Sequence, residues 1–201
     1  MDQPLTVAGV PVPLRWLREP LRWHSGEGTA LTIVAGGRTD LFVDPAGGSE
    51  ALDAPCLAGL PGGDFQLSAR VTVEFAATYD AGVLLLYAHE RAWAKLCLEY
   101  SPRGRPTVVS VVTRGVSDDC NSMEVDGPRV WLRVARMGPA FAFHASTDGA
   151  HWQLVRYFAL DEADQMAVGF LAQSPTGDGC SATFDQIRYT SRRLEDLRGG
   201  T

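Results

Sequence analysis

The sequence predicts an all-β protein, with short antiparallel strands stacked as a sandwich or closed as a barrel. Three observations predict it. The run 65–75 alternates strictly, with Phe65, Leu67, Ala69, Val71, Val73 and Phe75 on one side and Gln66, Ser68, Arg70, Thr72 and Glu74 on the other. Period-two alternation belongs to a strand with one buried face. Turn signals recur roughly every ten residues and separate about eleven short strand-like runs, with no helix of ordinary length between them. The composition, 45% hydrophobic and 21% charged, is that of a chain that folds around a core. No internal repeat or second hydrophobic core divides the 201 residues. One domain over 1–201 is expected, with a core from about 5 to 190 and a charged, frayed tail at 191–201.

In chain order, Pro11, Pro13 and Pro20 mark an extended lead-in, and Trp16 and Trp23 are expected to cap sheet edges. The runs 31–34 and 40–44 are short strands. Residues 45–64, with Pro45, Gly47, Gly48, Pro55, Gly59, Pro61, Gly62 and Gly63, read as one long irregular loop. After the 65–75 strand come apolar or alternating runs at 81–89, 93–100 and 107–118. The runs 130–136 and 140–146 form a hairpin across Met137-Gly-Pro. Asp148-Gly149 suits the positive φ of a tight turn. Strands follow at 152–159, 166–172 and 182–189, and 160–165 can make a single helical turn.

Charge and cysteine usage narrow the function classes. A net charge of −6 with no long basic run argues against a nucleic-acid partner. No stretch reaches the ~18 apolar residues of a membrane span, and the first residues lack a signal-peptide pattern. A cytoplasmic protein is expected, with Cys56, Cys97, Cys120 and Cys180 as free thiols, since they share no metal-type spacing.

The 93–100 run carries the candidate site. Trp93, Lys95, Cys97 and Glu99 share one face, while Ala94, Leu96, Leu98 and Tyr100 share the other. Lys95 is the one lysine beside seventeen arginines. Lysine is a compact charge whose pKa shifts readily on burial, which arginine cannot copy. A three-residue hairpin loop at 90–92 sets Tyr87 and His89 opposite Lys95 and Trp93. A two-residue loop sets Ala88 and Glu90 there instead. The first is preferred because it leaves Leu84 and Leu86 with Leu96 and Leu98 in the core.

The order of motifs resembles a known family. Asp80-Ala-Gly82, Trp93-x-Lys95-x-x-x-Glu99-Tyr100, Val111-Val-Thr113-Arg-Gly115-x-Ser117-Asp118, Trp131-Leu-Arg133-x-x-Arg136, Ser146-x-Asp148-Gly149-x-x-Trp152 and Val168-Gly-Phe-x-Ala172-Gln173-Ser174-Pro175 are similar, as a set, to the domain-of-unknown-function family that includes yeast regulation-of-enolase protein 1. The pattern departs at Asp119-Cys120, where an aromatic is expected. The resemblance implies the concanavalin A-like lectin/glucanase fold, an antiparallel two-sheet jelly-roll β-sandwich that binds ligands across its concave sheet.

On that basis the expected function is binding of a carbohydrate or related small polar ligand, without a cofactor or metal. An indole stacks on a sugar ring while charged and amide groups hold the hydroxyls. The candidate ligand-binding residues are Tyr87, His89, Trp93, Lys95, Glu99, Asp118, Arg133 and Gln173, with Arg136 as a further anion-recognising group. Binding alone predicts that Trp93→Ala and Lys95→Ala leave the fold intact. The bland alternative is that Lys95 and Glu99 form a surface ion pair. A glycan-active enzyme needs a second carboxyl beside Glu99, supplied by Asp80 or Asp118. A base role for Lys95 needs a depressed pKa. No catalytic constellation is recognisable. A regulatory interaction module, with a protein partner or a second copy of the chain, is the third class. The Ser146–Trp152 motif reads as turn chemistry. His24, His89, His144 and His151 lack metal spacing.

Overall fold

The computed structural model describes residues 3–26 and 30–201. Sixteen strands are described: β1 Arg15–Arg18, β2 Arg22–Ser25, β3 Leu31–Gly36, β4 Leu41–Val43, β5 Glu50–Leu52, β6 Cys56–Gly59, β7 Phe65–Glu74, β8 Ala81–His89, β9 Ala92–Tyr100, β10 Pro106–Arg114, β11 Val116–Glu124, β12 Arg129–Met137, β13 Ala140–Ser146, β14 Gln153–Ala159, β15 Ala167–Gln173 and β16 Gly179–Thr190. The helical turn expected at 160–165 is a 3-10 turn at Ala163–Gln165.

Two seven-stranded antiparallel sheets face each other as a sandwich. The first runs β1-β6-β15-β8-β9-β10-β11 and the second β14-β13-β12-β7-β16-β3-β2; β4 and β5 form a separate two-stranded ribbon. The alternation of β7 appears directly, with Phe65, Leu67, Ala69, Val71 and Val73 buried. They meet Leu84, Leu86, Leu96 and Leu98 of the first sheet in one apolar cluster. The sheets approach closely at Gly82, where an added Cβ would lie 2.7 Å from Val71 Cγ1. Trp16 and Trp23 sit on β1 and β2, the edge strands of the two sheets, with ring centroids 6.1 Å apart.

Four local expectations need correction. The 45–64 segment is not one loop: it contains β5 and β6, and β6 pairs with both β1 and β15. Cys56, Leu57, Ala58 and Gly59 are buried on both faces, so no alternation announced a strand. The 107–118 run is two strands, because Gly115 takes φ +80° and turns the chain between β10 and β11. The β8–β9 hairpin has a tighter turn than preferred, with a bulge. Tyr87 faces Trp93, Leu85 faces Lys95, and His89 faces Ala92. The bulge absorbs the shift, so Leu84 still pairs with Leu96 in the core.

The tail beyond 190 is not frayed. Leu194 is buried against Ala135, Met137 and Ala142, with Leu197 packed alongside. Gly200 O accepts from Arg133 Nη2 at 2.7 Å, and Leu197 O lies 2.8 Å from His144 Nε2. The charged residues masked an apolar pair spaced to dock on the outer face of the second sheet.

Candidate functional site

The face of the first sheet turned away from the core carries a second apolar cluster. Val83, Leu85, Trp93, Cys97, Val109, Val111 and Leu171 of the sheet are covered there by Leu41, Val43 and Ala54. Val43 N–H donates to Ser117 Oγ at 3.0 Å, and Arg91 pairs with Glu50, so the β4–β5 ribbon is tied down at both strands. The face expected to be open is therefore covered. What remains is a cleft of about 290 Å³ lined by Asp40, Phe42, Tyr79, Lys95, Glu99, Val111, Asp119 and Gln173.

Strand register sets its floor. Lys95 lies between Leu85 and Val111, and Val111 faces Asp119. Four pairs along, Ala81 lies between Glu99 and Gln173. The small Ala81 leaves Gln173 room to reach towards Lys95 over β8. Lys95 Nζ donates to Gln173 Oε1 at 2.9 Å and lies 3.4 Å from Asp40 Oδ1 and 5.6 Å from the Trp93 ring centroid. Asp40 is brought in from outside the sheet. Thr39 bridges to Ser174, the residue after Gln173, and Asp40 O accepts from Asp53 N–H and Ala54 N–H.

The electrostatics follow from three carboxyl groups around one ammonium. Burial opposes the Lys95 charge, but Asp40 and its other acidic neighbours outweigh it, and the pKa is raised. Lys95 is a held cation, not the free base that a depressed pKa would have made it. Burial pushes the Glu99 carboxyl up to about 8; Lys95 opposes this, and Asp119 and Asp40 reinforce it. Asp119 is raised too, again chiefly by burial. Glu99 is thus a proton-bearing group at neutral pH that points into a cleft without a hydrogen-bond partner among the described residues.

Of the eight residues singled out in the sequence, the cleft brings together Lys95, Glu99 and Gln173. The other five stand elsewhere. Tyr87 shares the face but lies under Arg18, 5.9 Å from its guanidinium carbon. Trp93 is fully buried beneath the cover, with its Nε1–H donating to Glu90 O. His89 follows the bulge to the surface and meets Glu162 at 3.4 Å. Asp118 faces the other side of β11 and pairs with Arg156 at 2.8 Å. Arg133 lies on the second sheet under the tail, 4.3 Å over the Trp152 ring, and burial pushes its pKa down to about 10. Arg136 pairs with Asp164. Asp80 is no partner for Glu99: its carboxylate accepts from Ala76 N–H, Ala77 N–H and Ser174 Oγ–H.

The residues missed were Asp40, Phe42, Tyr79, Val111 and Asp119. Asp119 was recoverable, since a turn at Gly115 puts Val111 opposite it. Asp40 and Phe42 arrive through a ribbon distant in sequence and left no local sign. Ser146 and Asp148 serve the turn after β13, where Asp148 Oδ1 accepts from Ala150 N–H and His151 N–H. Among the described residues, no group of three or more His, Cys, Asp or Glu side chains is placed to hold a metal ion, and no helix is long and apolar enough to cross a membrane.

Fold and cleft together define a jelly-roll-type β-sandwich of the concanavalin A-like kind with a small polar cleft on one sheet. The chain belongs to the family described as "Protein of unknown function (DUF1349)", whose pattern matches residues 16–192. A functionally unknown protein from Saccharomyces cerevisiae superposes with a TM-score of 0.83 at 25% identity, over 90% of this chain and 97% of that one. The GH43 protein BlXynB from Bacillus licheniformis superposes with a TM-score of 0.73 at 17% identity; the match covers 89% of this chain but 37% of that one. The alginate lyase from Klebsiella pneumoniae gives 0.55 at 13% identity, over 84% and 83%. No curated protein matches the chain.

Proposed function

We propose that the chain binds a small polyhydroxylated molecule, a carbohydrate or close relative, in the cleft over β9. The observation that carries this reading is the convergence of Lys95, Gln173, Glu99, Asp119 and Asp40 beside Phe42 and Tyr79 in a space of about 290 Å³. That volume suits one sugar ring, near the lower end of the ~300–1,000 Å³ of ligand pockets. The aromatic residues offer an apolar wall for a ring face, and the carboxyl, amide and ammonium groups match hydroxyls as acceptors and donors. A structural neighbour of the same fold class, a GH43 protein, adds support. Free thiols at all four cysteines accord with a reducing, cytoplasmic setting.

The test is calorimetric titration of the purified protein with neutral mono- and disaccharides, repeated with Gln173→Ala. Saturable binding that Gln173→Ala weakens supports the reading. Absence of heat and of thermal stabilisation across the panel sinks it and favours a role through protein contacts.

A further inference from the structure

We infer that this cleft selects by charge, taking neutral or amine-bearing sugars and rejecting those that carry a carboxylate or phosphate. The inference rests on the carbohydrate reading above and gives it a substrate class. It comes from the hydrogen-bonding capacity left over once the protein's own contacts are made.

Lys95 is the single cation lining the cleft, and it is largely committed. Of its three N–H donors, one goes to Gln173 Oε1 and another points at Asp40 Oδ1. An ammonium has no acceptor capacity to offer in return. Gln173 turns its carbonyl to Lys95, which leaves the amide N–H₂ as the other donor on that side. The acceptors are in surplus. Glu99 has no hydrogen-bond or ion-pair partner among the described residues, and the Asp119 carboxyl takes only the Cys120 N–H. Arg156 supplies only part of the missing positive charge: it acts on Asp119 at a distance, while Asp118 holds it on the far side of β11 at 2.8 Å.

A ligand here must therefore donate more hydrogen bonds than it accepts. Sugar hydroxyls meet that demand by rotating, and an amino substituent meets it better, since an ammonium is a donor only. A uronate or sugar phosphate brings acceptor oxygens and negative charge towards Asp40 and Asp119, with one paired lysine to offset them and Glu99 holding its proton. Like-charge juxtaposition in a confined site is a strong means of rejecting a partner.

The experiment compares matched ligands. The gluco, galacto and manno series, each as the neutral sugar, the 2-amino sugar and the uronate, are titrated into wild type, Asp119→Asn and Glu99→Gln at neutral pH. In whichever series binds, the amino sugar should bind at least as tightly as the neutral one, and the uronate at least about tenfold more weakly. In Asp119→Asn, whose site is exposed and tolerates the isosteric change, the ratio between amine and uronate should shrink by roughly threefold or more. A uronate that binds as well as its neutral parent overturns the charge selection while leaving carbohydrate binding in place. So does a ratio unchanged in both variants. If no member of any series binds, the carbohydrate reading falls and this inference falls with it.

Discussion

Lys95 and Gln173 meet at 2.9 Å across an intervening strand, although 78 residues separate them in the chain. Lys95 is 2% exposed and faces three carboxyl groups, so its ammonium neutralises a site that would otherwise gather like charge. Removing one partner of a buried ion pair leaves the others uncompensated. Lys95→Met keeps the stem and deletes the charge. It should cost about 3 kcal/mol of unfolding free energy at neutral pH, read from urea denaturation. The loss should be smaller at pH 7 than at pH 9, where the Glu99 carboxyl, at about 8, is ionised in wild type and depends on the ammonium. An equal loss at both pH values would mean that the lysine contributes packing alone. The structure thus replaces the expectation that Lys95→Ala leaves the fold intact.

Glu99 makes the second prediction, through linkage. Its folded pKa of about 8 stands above the ordinary 4.5. Between those values the native state holds a proton that the unfolded chain has lost, so stability from this group is present below about 4.5 and is lost as pH rises towards 8. Glu99→Gln removes the titration. Its stability relative to wild type should grow from pH 5 to pH 9, by on the order of a few kcal/mol. Melting temperatures at pH 5, 7 and 9 report it, and parallel curves for the two proteins would mean that Glu99 ionises normally.

Asp118 and Asp119 are adjacent but stand on opposite faces of β11. Asp118→Asn breaks an exposed pair with Arg156 and should change stability by no more than about 1 kcal/mol, with ligand affinity untouched. Asp119→Asn should alter binding in the cleft at similar cost to stability. Titration of both variants with one bound sugar separates them. A binding defect in Asp118→Asn instead would put the ligand on the other face.

Trp93 is a core residue despite its place on the site strand. It is fully buried among Val83, Leu85, Cys97 and Val111, so Trp93→Ala should cost about 3–5 kcal/mol, visible as a large drop in urea midpoint. An unperturbed midpoint would mean that the cover over this face opens freely in solution.

The tail yields a fifth prediction. Ending the chain after Arg193 removes Leu194 and Leu197 and bares Ala135, Met137 and Ala142. It should lower the melting temperature and raise binding of a hydrophobic dye, with less effect on the cleft, which lies on the other sheet. A truncated protein as stable as the full chain would show the docking to be marginal.

The strands were legible where one face is buried and the other is not, as in β7 and β9, because a two-residue period has a local cause in the pleat. They were not legible in β6, buried on both sides, or in β11, an edge strand whose run from Ser117 to Ser122 is polar but for Cys120. The site was legible in the same measure. Lys95 and Glu99 share a strand face by alternation alone. Asp119 was hidden by a single glycine turn, and Arg133 was drawn in by composition without a face to place it.

By itself, then, the amino-acid order determined an antiparallel all-β fold and the side of β9 on which Lys95 and Glu99 project. The period of an extended backbone decides that within a few residues. Only the tertiary structure decided what covers that side. The β4–β5 ribbon crosses the first sheet, buries Trp93, delivers Asp40 and Phe42, and turns a broad polar face into a narrow cleft. Contacts closed over long loops leave little trace in local pattern, because the entropy of closing them depends weakly on loop length and hardly at all on loop sequence. The pairing partners are selected by the surfaces that meet once the sheets exist.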